Sequence, residues 1–326
     1  MSRSSAVPDS APDGAVLACD IGGTVTKLAI IAEGSVQGRI DLPSESASGL
    51  TARLEPMAGA LRDLAAGAGV AVADCVGVSI AIPGIVDRAG GRVVHINEKF
   101  ADAPGLDLPR WAVDELGLPA VLENDARAAA IGEWHRGAGQ GCEDFVAVTL
   151  GTGIGVAAVC GGRMLRGPQG GAVIIGGHLT VAIDGRRCNC GRHGCAEAEA
   201  STWALAELVR DLGAEHDTTR LRAPDLDYAA LIALADHGDA AAIELRRRSF
   251  RVWGTLIVDL VHAYDPERVV IGGGISQADQ LLPSLRSALD RDPWSSDWGV
   301  EIVRSRLGAD AALAAAPWIL AEPRGP

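Results

Sequence analysis

The segment VLACDIGGTVTKLAII (residues 16–31) contains two apolar runs separated by the glycine pair Gly22 and Gly23. This arrangement is typical of a strand, a glycine turn and a second strand. Residues 145–160, FVAVTLGTGIGVAAVC, repeat it around LGTGIG (150–155). The two copies predict an α/β protein of two duplicated lobes that face each other across a cleft.

The bulk properties of the chain agree with two lobes and exclude some classes of partner. The 326 residues exceed the usual size of one core. The net charge is −13, and the nearest basic cluster, at residues 246–251, has the helical spacing of a solvated face, so no nucleic-acid partner is expected. Residues 1–14 are predicted to be a disordered tail. No run reaches the length of a membrane span, and the cysteines outside residues 188–195 are interpreted as reduced thiols, so a cytoplasmic protein is expected.

The remaining apolar patterns predict helices and short buried strands. Residues 50–68 and 125–135 have helical spacing, and so do residues 200–214 and 229–264. Short buried strands are predicted over residues 75–82, 120–123 and 268–271.

Three glycine-rich loops are candidates for phosphate binding, because backbone amides without neighbouring side chains can approach a phosphate closely. None has Walker or Rossmann spacing, and a plain tight turn is the alternative for each. Asp20 could hold magnesium-bound water, and Lys27 is either the nearest cation or part of a solvated edge. The candidate residues are Asp20, Gly22, Gly23, Thr24 and Lys27 in the first loop, Gly151, Thr152 and Gly153 in the second, and Gly273 and Gly274 in the third.

The segment LENDARAAAIGEW (122–134) places two adjacent polar residues between an apolar strand and an alanine-rich helix. An N-cap would explain one of them, Asn124 or Asp125. Phosphoryl transfer to an alcohol needs a carboxylate that accepts the hydroxyl proton. Asp125 is the best candidate for this general base.

The segment HLTVAIDGRRCNCGRHGCAE (178–197) carries the ligand set of a closed zinc site. His178, Cys188, Cys190 and Cys195 would supply one imidazole and three thiolates. Three ordinary core cysteines are the alternative, which the polar flanking residues disfavour.

The motifs DIGGT, ENDA, LGTGIG, GH and CNCGRHGCAE together resemble the ROK family of sugar kinases and repressors, over about residues 16–200 and, less closely, through DPERVVIGGGIS (265–276). The resemblance implies an actin/hexokinase-like fold of two lobes that binds ATP and Mg²⁺ and phosphorylates the 6-hydroxyl of a hexose. It also implies a homodimer. The small lobe is expected over residues 15–136 with a C-terminal helix at about 307–326, and the large lobe over 137–306.

The resemblance also implies roles for individual residues. Asp125 corresponds to the catalytic base, and Asn124 and Gly84 lie beside it in the sugar site. His178 would bind structural Zn²⁺ through one ring nitrogen while its other side faces the sugar. Glu197 would hold sugar hydroxyls near C1 and C2.

One position departs from the family pattern, which has glutamate where Ile175 stands before Gly176, Gly177 and His178. A site that loses such an acceptor loses discrimination. Either the substrate is a modified sugar such as kanosamine or an N-acetyl hexosamine, or another acid such as Glu199 compensates, or the protein is an impaired sugar-binding or regulatory protein. Glu199 itself is interpreted as a solvated helix residue. Repressors of the family carry a DNA-binding module before the first lobe, and with about fifteen residues preceding the first strand none is expected here.

Overall fold

The computed structural model describes residues 13–97, 99–212, 221 and 226–323, which form two compact units. The first unit runs to Gly141 and also contains Gly161–Ile174 and the chain from Arg306 onward. The second unit contains Cys142–Cys160 and Ile175–Ser305. The predicted tail over residues 1–14 lies outside the described residues except for its last two.

The strands and helices alternate along the chain, as in an α/β protein. Of the helices among the described residues, none is long and apolar enough to traverse a lipid bilayer. In chain order, the elements are β1 (Val16–Ile21), β2 (Val25–Ala32), β3 (Ser35–Pro43), α1 (Thr51–Gly67), β4 (Val78–Ile82), β5 (Ile85–Asp87), β6 (Arg92–His95), α2 (Leu108–Leu116), β7 (Ala120–Asn124), α3 (Asp125–Arg136), β8 (Phe145–Leu150), β9 (Ile154–Val159), α4 (Ala196–Ala200), α5 (Leu205–Arg210), α6 (Tyr228–Asp236), α7 (Ala240–Tyr264), β10 (Arg268–Gly272), α8 (Leu281–Asp290), β11 (Glu301–Arg304), α9 (Ala311–Ala314) and α10 (Ala316–Ala321).

The first unit is built on a sheet with the strand order β3-β2-β1-β4-β7. Both faces of strand β1 are apolar, since each face is covered by other parts of the first unit. Leu17 and Cys19 point into the main core with helix α1, whereas Val16 and Ala18 pack against Leu313 of α9. Successive side chains of a strand alternate between faces, so one continuous apolar run fills two cores.

Strands β1, β4 and β7 run parallel, so their carboxyl ends meet at one edge of the sheet. The residues that follow these three ends are the first glycine loop, the turn at Gly84 and the start of helix α3. The topology therefore brings together three stretches that are far apart in sequence.

The second unit repeats the same plan on a smaller sheet of order β11-β10-β8-β9. An antiparallel hairpin, β8 and β9, is followed by two strands parallel to β8, just as β1 and β2 are followed by β4 and β7. The carboxyl ends of β8 and β10 meet, with Thr149 opposite Gly272. The predicted duplication of an α/β unit is confirmed.

Two helices differ from their predicted extent. The helix expected over residues 229–264 is two helices, α6 and α7, because Gly238 adopts a φ of +84° and Asp239 caps α7 by accepting from the Ala242 amide (3.0 Å). The helix expected over residues 200–214 is reduced to α5, and its last two residues lie outside the described chain.

Residues 161–174 belong to the first unit, whereas the family resemblance predicts them in the large lobe. Arg166 forms an ion pair with the fully buried carboxylate of Glu123 (2.7 Å). Arg127 donates to the carbonyls of Leu165 (3.0 Å) and Gly170 (2.5 Å). A buried carboxylate needs cationic partners, and here one of them comes from this segment.

Candidate active site

Asn124, the last residue of β7, joins the turn at Gly84 to the start of helix α3. Its Oδ1 accepts from the Arg127 amide (3.1 Å), which is the N-cap interaction. Its Nδ2 donates to the Gly84 carbonyl (3.0 Å) and to Oδ1 of Asp125 (2.9 Å). The structure therefore brings these three predicted sugar-site residues together, and Asn124 caps the helix while it also orients Asp125.

Asp125 is a half-buried carboxylate with an unusual proton affinity. Its removal from water raises its pKa to about 6, and the negative charge of Asp20 adds to this effect. The Ala126 amide (2.9 Å) and the positive charge of Lys99 oppose it. A carboxylate with a pKa close to the working pH is well suited to general base catalysis.

The first glycine loop is held in shape by its neighbours. The Gly22 amide donates to the Val25 carbonyl (3.2 Å), which closes the turn. The buried Ser44 donates from Oγ to the Gly22 carbonyl (2.6 Å) and from its amide to the Thr24 carbonyl (3.0 Å). Ser44 was not singled out from the sequence because it follows an exposed edge strand and belongs to no motif.

Lys27 lies against Asp20, with 2.7 Å between Nζ and Oδ2. Asp20 is nearly buried at the end of β1, and Lys27 stands opposite it on β2. The sequence leaves two interpretations of Lys27 open, a phosphate-binding cation or part of a solvated edge. Its ion pair with Asp20 corresponds to neither of them. The ammonium group neutralises the carboxylate that was predicted to hold magnesium-bound water.

The second and third glycine loops lie side by side in the second unit. Gly273 has a φ of +80°, and a Cβ there would lie 2.7 Å from the carbonyl carbon of Leu150, the residue before Gly151. The Gly151 amide donates to the Gly153 carbonyl (3.0 Å), which makes the second loop a tight turn. Gly274 begins the short helical turn after Gly273. The exposed Thr152 is at the tip of the second loop.

Glu197 connects the second glycine loop to the cysteine-rich segment. Its Oε2 accepts from the Ile154 amide (2.8 Å), and its Oε1 accepts from Nε1 of Trp203 (3.0 Å). The Trp203 amide in turn donates to the Thr152 carbonyl (3.2 Å). Both carboxylate oxygens thus support the loop, a contact that the sequence did not predict.

The four predicted zinc ligands come together within the second unit. Their ligand atoms all lie within 4.8 Å of one another. Sγ of Cys188 is 3.5 Å from Nδ1 of His178, and Sγ of Cys190 is 3.7 Å from Sγ of Cys195. Tetrahedral zinc with Zn–S bonds of about 2.3 Å requires sulfur atoms roughly 3.8 Å apart. The donor set and spacing therefore fit Zn²⁺.

Two side chains bear on the missing carboxylate at position 175. Ile175 exposes 53% of its surface and is free to contact a ligand. Glu199 is 3% exposed and forms an ion pair with Arg248, and it also accepts from the Arg186 amide (2.5 Å). The interpretation of Glu199 as a solvated residue is therefore wrong, and its existing partners leave it poorly suited to replace the missing acceptor.

Two repeated α/β units with glycine loops at the carboxyl ends of parallel strands define a protein of the hexokinase-like α/β class. The model of the ROK family matches residues 16–322. The chain belongs to the ROK family.

Relatives and solved structures agree with this assignment. A glucokinase of Halalkalibacterium halodurans is 32% identical over 313 residues, which cover 92% of this chain and 93% of that protein. A glucokinase of Thermotoga maritima is 35% identical over 253 residues, or 75% and 79% of the two chains. The ROK family glucokinase of Streptomyces griseus, solved in complex with glucose and AMPPNP, is 30% identical with a TM-score of 0.76, over 93% of this chain and 98% of that one.

Proposed function

We propose that this protein is a sugar kinase that transfers the γ-phosphoryl group of ATP to the 6-hydroxyl of a hexose or amino-hexose. Its glucokinase relatives are similar to it over most of both chains. The observation that carries the proposal is Asp125, a carboxylate of pKa about 6 held by Asn124 at the edge where β1, β4 and β7 end.

In this reaction Asp125 accepts the proton of the sugar 6-hydroxyl. The hydroxyl oxygen forms a bond to the γ-phosphorus, the bond from that phosphorus to the β,γ-bridging oxygen breaks, and ADP leaves. The protein contributes mainly position and charge neutralisation, as in other phosphoryl transfers. Backbone amides of the first two glycine loops would bind phosphate oxygens, and Gly273 and Gly274 would line the adenosine side.

Magnesium would accompany ATP, and its chemistry is to neutralise charge on the phosphate oxygens. Asp20 would hold it through water, because its carboxylate stands near the end of β1, before the first glycine loop, and one of its oxygens, Oδ2, already accepts from Lys27. The oxygen donors expected there, one carboxylate and the phosphates, are those that Mg²⁺ prefers.

Zinc would be structural, held by His178, Cys188, Cys190 and Cys195. A bound ion would fix the segment that begins helix α4 and carries Glu197. Glu197 would then support the second glycine loop and, by the family resemblance, hold sugar hydroxyls. The zinc takes no part in the chemical step.

A second candidate substrate follows from Ile175. An exposed apolar side chain in place of a carboxylate favours a sugar that carries a modified group there, such as kanosamine or an N-acetyl hexosamine. We also propose that the enzyme is cytoplasmic and has no nucleic-acid partner. We propose further that it is a homodimer, which equilibrium sedimentation of the purified protein would test.

The proposed function is tested with purified, zinc-loaded protein, ATP and Mg²⁺. A panel of glucose, other hexoses, amino-hexoses and N-acetyl hexosamines is assayed for ADP release and for the sugar 6-phosphate. Turnover with at least one sugar is expected, and the preferred sugar decides between the two candidates. If no sugar yields a phosphorylated product, the proposal is wrong and the protein is a sugar-binding or regulatory relative.

A further inference from the structure

Lys99 covers the first glycine loop from a part of the chain that no motif marks. A Cβ on Gly23 would lie 2.5 Å from Cδ and 2.7 Å from Cε of Lys99, and Nζ is at least as close. The absence of a side chain at Gly23 is what lets the lysine lie there. The loop and this ammonium group are therefore in direct contact within the first unit.

The backbone that follows Lys99 is anchored, so its position is not that of a free surface side chain. Phe100 is fully buried, and its amide donates to the Ser46 carbonyl (3.0 Å). The Lys99 amide donates to the Asn97 carbonyl (2.5 Å). These contacts fix the point from which the lysine reaches the loop.

Within the described part of the chain, Lys99 also has no acidic partner of the kind that Lys27 has in Asp20. Lys27 is paired with Asp20, whereas the ion pairs between described residues do not include Lys99. The ammonium group is close enough to Asp125 to lower its pKa. One cation thus contacts the loop and acts electrostatically on the candidate base.

We propose that Lys99 is a catalytic residue whose ammonium group contacts the γ-phosphoryl group of ATP over the Gly22-Gly23 loop during transfer. This inference rests on the proposed kinase function. Charge on the equatorial oxygens of the phosphoryl group must be neutralised as the bond to ADP breaks, and a positioned cation is suited to do this. The ammonium group keeps its proton throughout.

Steady-state kinetics of Lys99→Ala and Lys99→Arg test this role. Lys99→Ala should lower kcat by roughly 10²-fold with the KM for sugar little changed, because the contact is made to the transferring group. Lys99→Arg should recover at least part of the loss. Arg110→Met, which removes an exposed cation of the same unit, is the matched control and should leave kcat unchanged. A kcat of Lys99→Ala equal to that of the wild type overturns the proposal.

The pH dependence of kcat/KM provides a second test, because a purely structural role of Lys99 would not change it. Loss of the positive charge should raise the pKa of Asp125, so the acid limb of kcat/KM should shift to higher pH in Lys99→Ala. Lys99→Arg should keep the limb where it is in the wild type. An unshifted acid limb in Lys99→Ala contradicts an electrostatic effect of Lys99 on Asp125.

Nucleotide binding separates this proposal from the kinase function as a whole. By calorimetry, Lys99→Ala should weaken AMPPNP binding about tenfold and ADP binding much less, because only AMPPNP has a γ-phosphate. If the wild type turns over no sugar, the kinase proposal fails. The loss of AMPPNP affinity relative to the loss of ADP affinity still decides whether Lys99 contacts the γ-phosphate. Equal losses for both nucleotides, or no loss, overturn it.

Discussion

Asn124 donates a hydrogen bond of 2.9 Å from Nδ2 to Oδ1 of Asp125, the next residue in the chain. The same amide group donates to the Gly84 carbonyl, and its oxygen caps helix α3. A single asparagine therefore fixes the candidate base relative to two other elements. Because the cap and the orientation are made by different atoms of one side chain, neither role excludes the other.

The pKa of Asp125 predicts the pH dependence of the reaction. A general base must be ionised, so kcat/KM should fall as the pH drops through about 6. Asp125→Asn should lower kcat by roughly 10²- to 10⁴-fold, since the amide cannot accept the proton. Initial rates between pH 5 and 9 measure both effects. Substantial turnover by Asp125→Asn would remove the residue from the role of base.

The same pKa has a consequence for stability. The carboxyl group binds its proton more tightly in the folded protein than its ordinary value of 3.8 allows in the unfolded chain. Stability is therefore lost as the pH rises from that value through about 6. Asp125→Asn should have a higher free energy of unfolding than the wild type at pH 8. This difference should vanish below pH 3.8, the ordinary pKa of the carboxyl group. Urea unfolding at several pH values measures it.

Zinc content tests the four-ligand cluster. The purified protein should contain about one zinc ion per chain, and Cys190→Ser should lose it, because a hydroxyl is a poor substitute for a thiolate ligand. Cys160→Ala, a change outside the cluster, should retain the metal. Plasma emission spectroscopy gives the content. A fully stable, active and metal-free protein would contradict a structural zinc site.

The buried charge of Glu123 should matter more to stability than any exposed pair. Burial would raise its pKa, but the charges of Arg166 and Arg127 outweigh this and hold the pKa below its ordinary value. Glu123→Gln should cost about 3–5 kcal/mol, because it leaves buried arginines without their counter-ion. Glu115→Gln, which breaks an exposed pair with Arg62, should cost less than about 1 kcal/mol.

Urea unfolding at neutral pH compares the two variants. Since the folded protein holds Glu123 ionised, its contribution is present at pH values above its ordinary value of 4.5 and is lost as the pH falls through the lowered one. The difference in the free energy of unfolding between Glu123→Gln and the wild type should therefore become smaller at acidic pH. If Glu123→Gln and Glu115→Gln lose the same free energy of unfolding at neutral pH, the buried network contributes no more to stability than a surface ion pair.

Glu197 should affect nucleotide binding through the second glycine loop. Glu197→Gln keeps the shape of the side chain but places an amide donor opposite the Ile154 amide or the Trp203 indole. Losing one charged hydrogen bond costs about 1.5–3 kcal/mol, so the loop should loosen and AMPPNP should bind at least tenfold more weakly. Glu207→Gln, on an exposed face of α5, is the control. A change in sugar affinity alone would show that the carboxylate acts only on the sugar.

The parts of the site that sequence predicts are those whose signal is local. Glycine turns after apolar runs, the Asn124-Asp125 pair and the closely spaced cysteines all show within a dozen residues. Lys99 carries no such signal, because it reaches Gly23 only through the way the chain folds after β6. The prediction that Glu199 is solvated is wrong for a similar reason, since its partner Arg248 is 49 residues away.

The fold shows the same division. Short continuous apolar runs predict the buried strands β1, β4, β7, β8 and β10, whose side chains pack into cores. Strand β3 is an edge strand with many exposed side chains, and its sequence, SVQGRIDLP, alternates apolar and polar residues without a continuous apolar run. The placement of residues 161–174 depends on the ion pair of Arg166 with Glu123 and on hydrogen bonds from Arg127, residues some 40 positions earlier, and no local pattern encodes these contacts.

The first unit is assembled from three stretches of chain, the last of which begins at Arg306. Leu313 and Ala316 cover the face of β1 and β2 formed by Val16, Ala18, Ala29 and Ile31. During synthesis this face has to wait for residues 311–319 to leave the ribosome, whereas the second unit, which ends at Ser305, can complete its core earlier. The nascent chain therefore displays an uncovered apolar sheet for most of its synthesis, the kind of surface that chaperones protect.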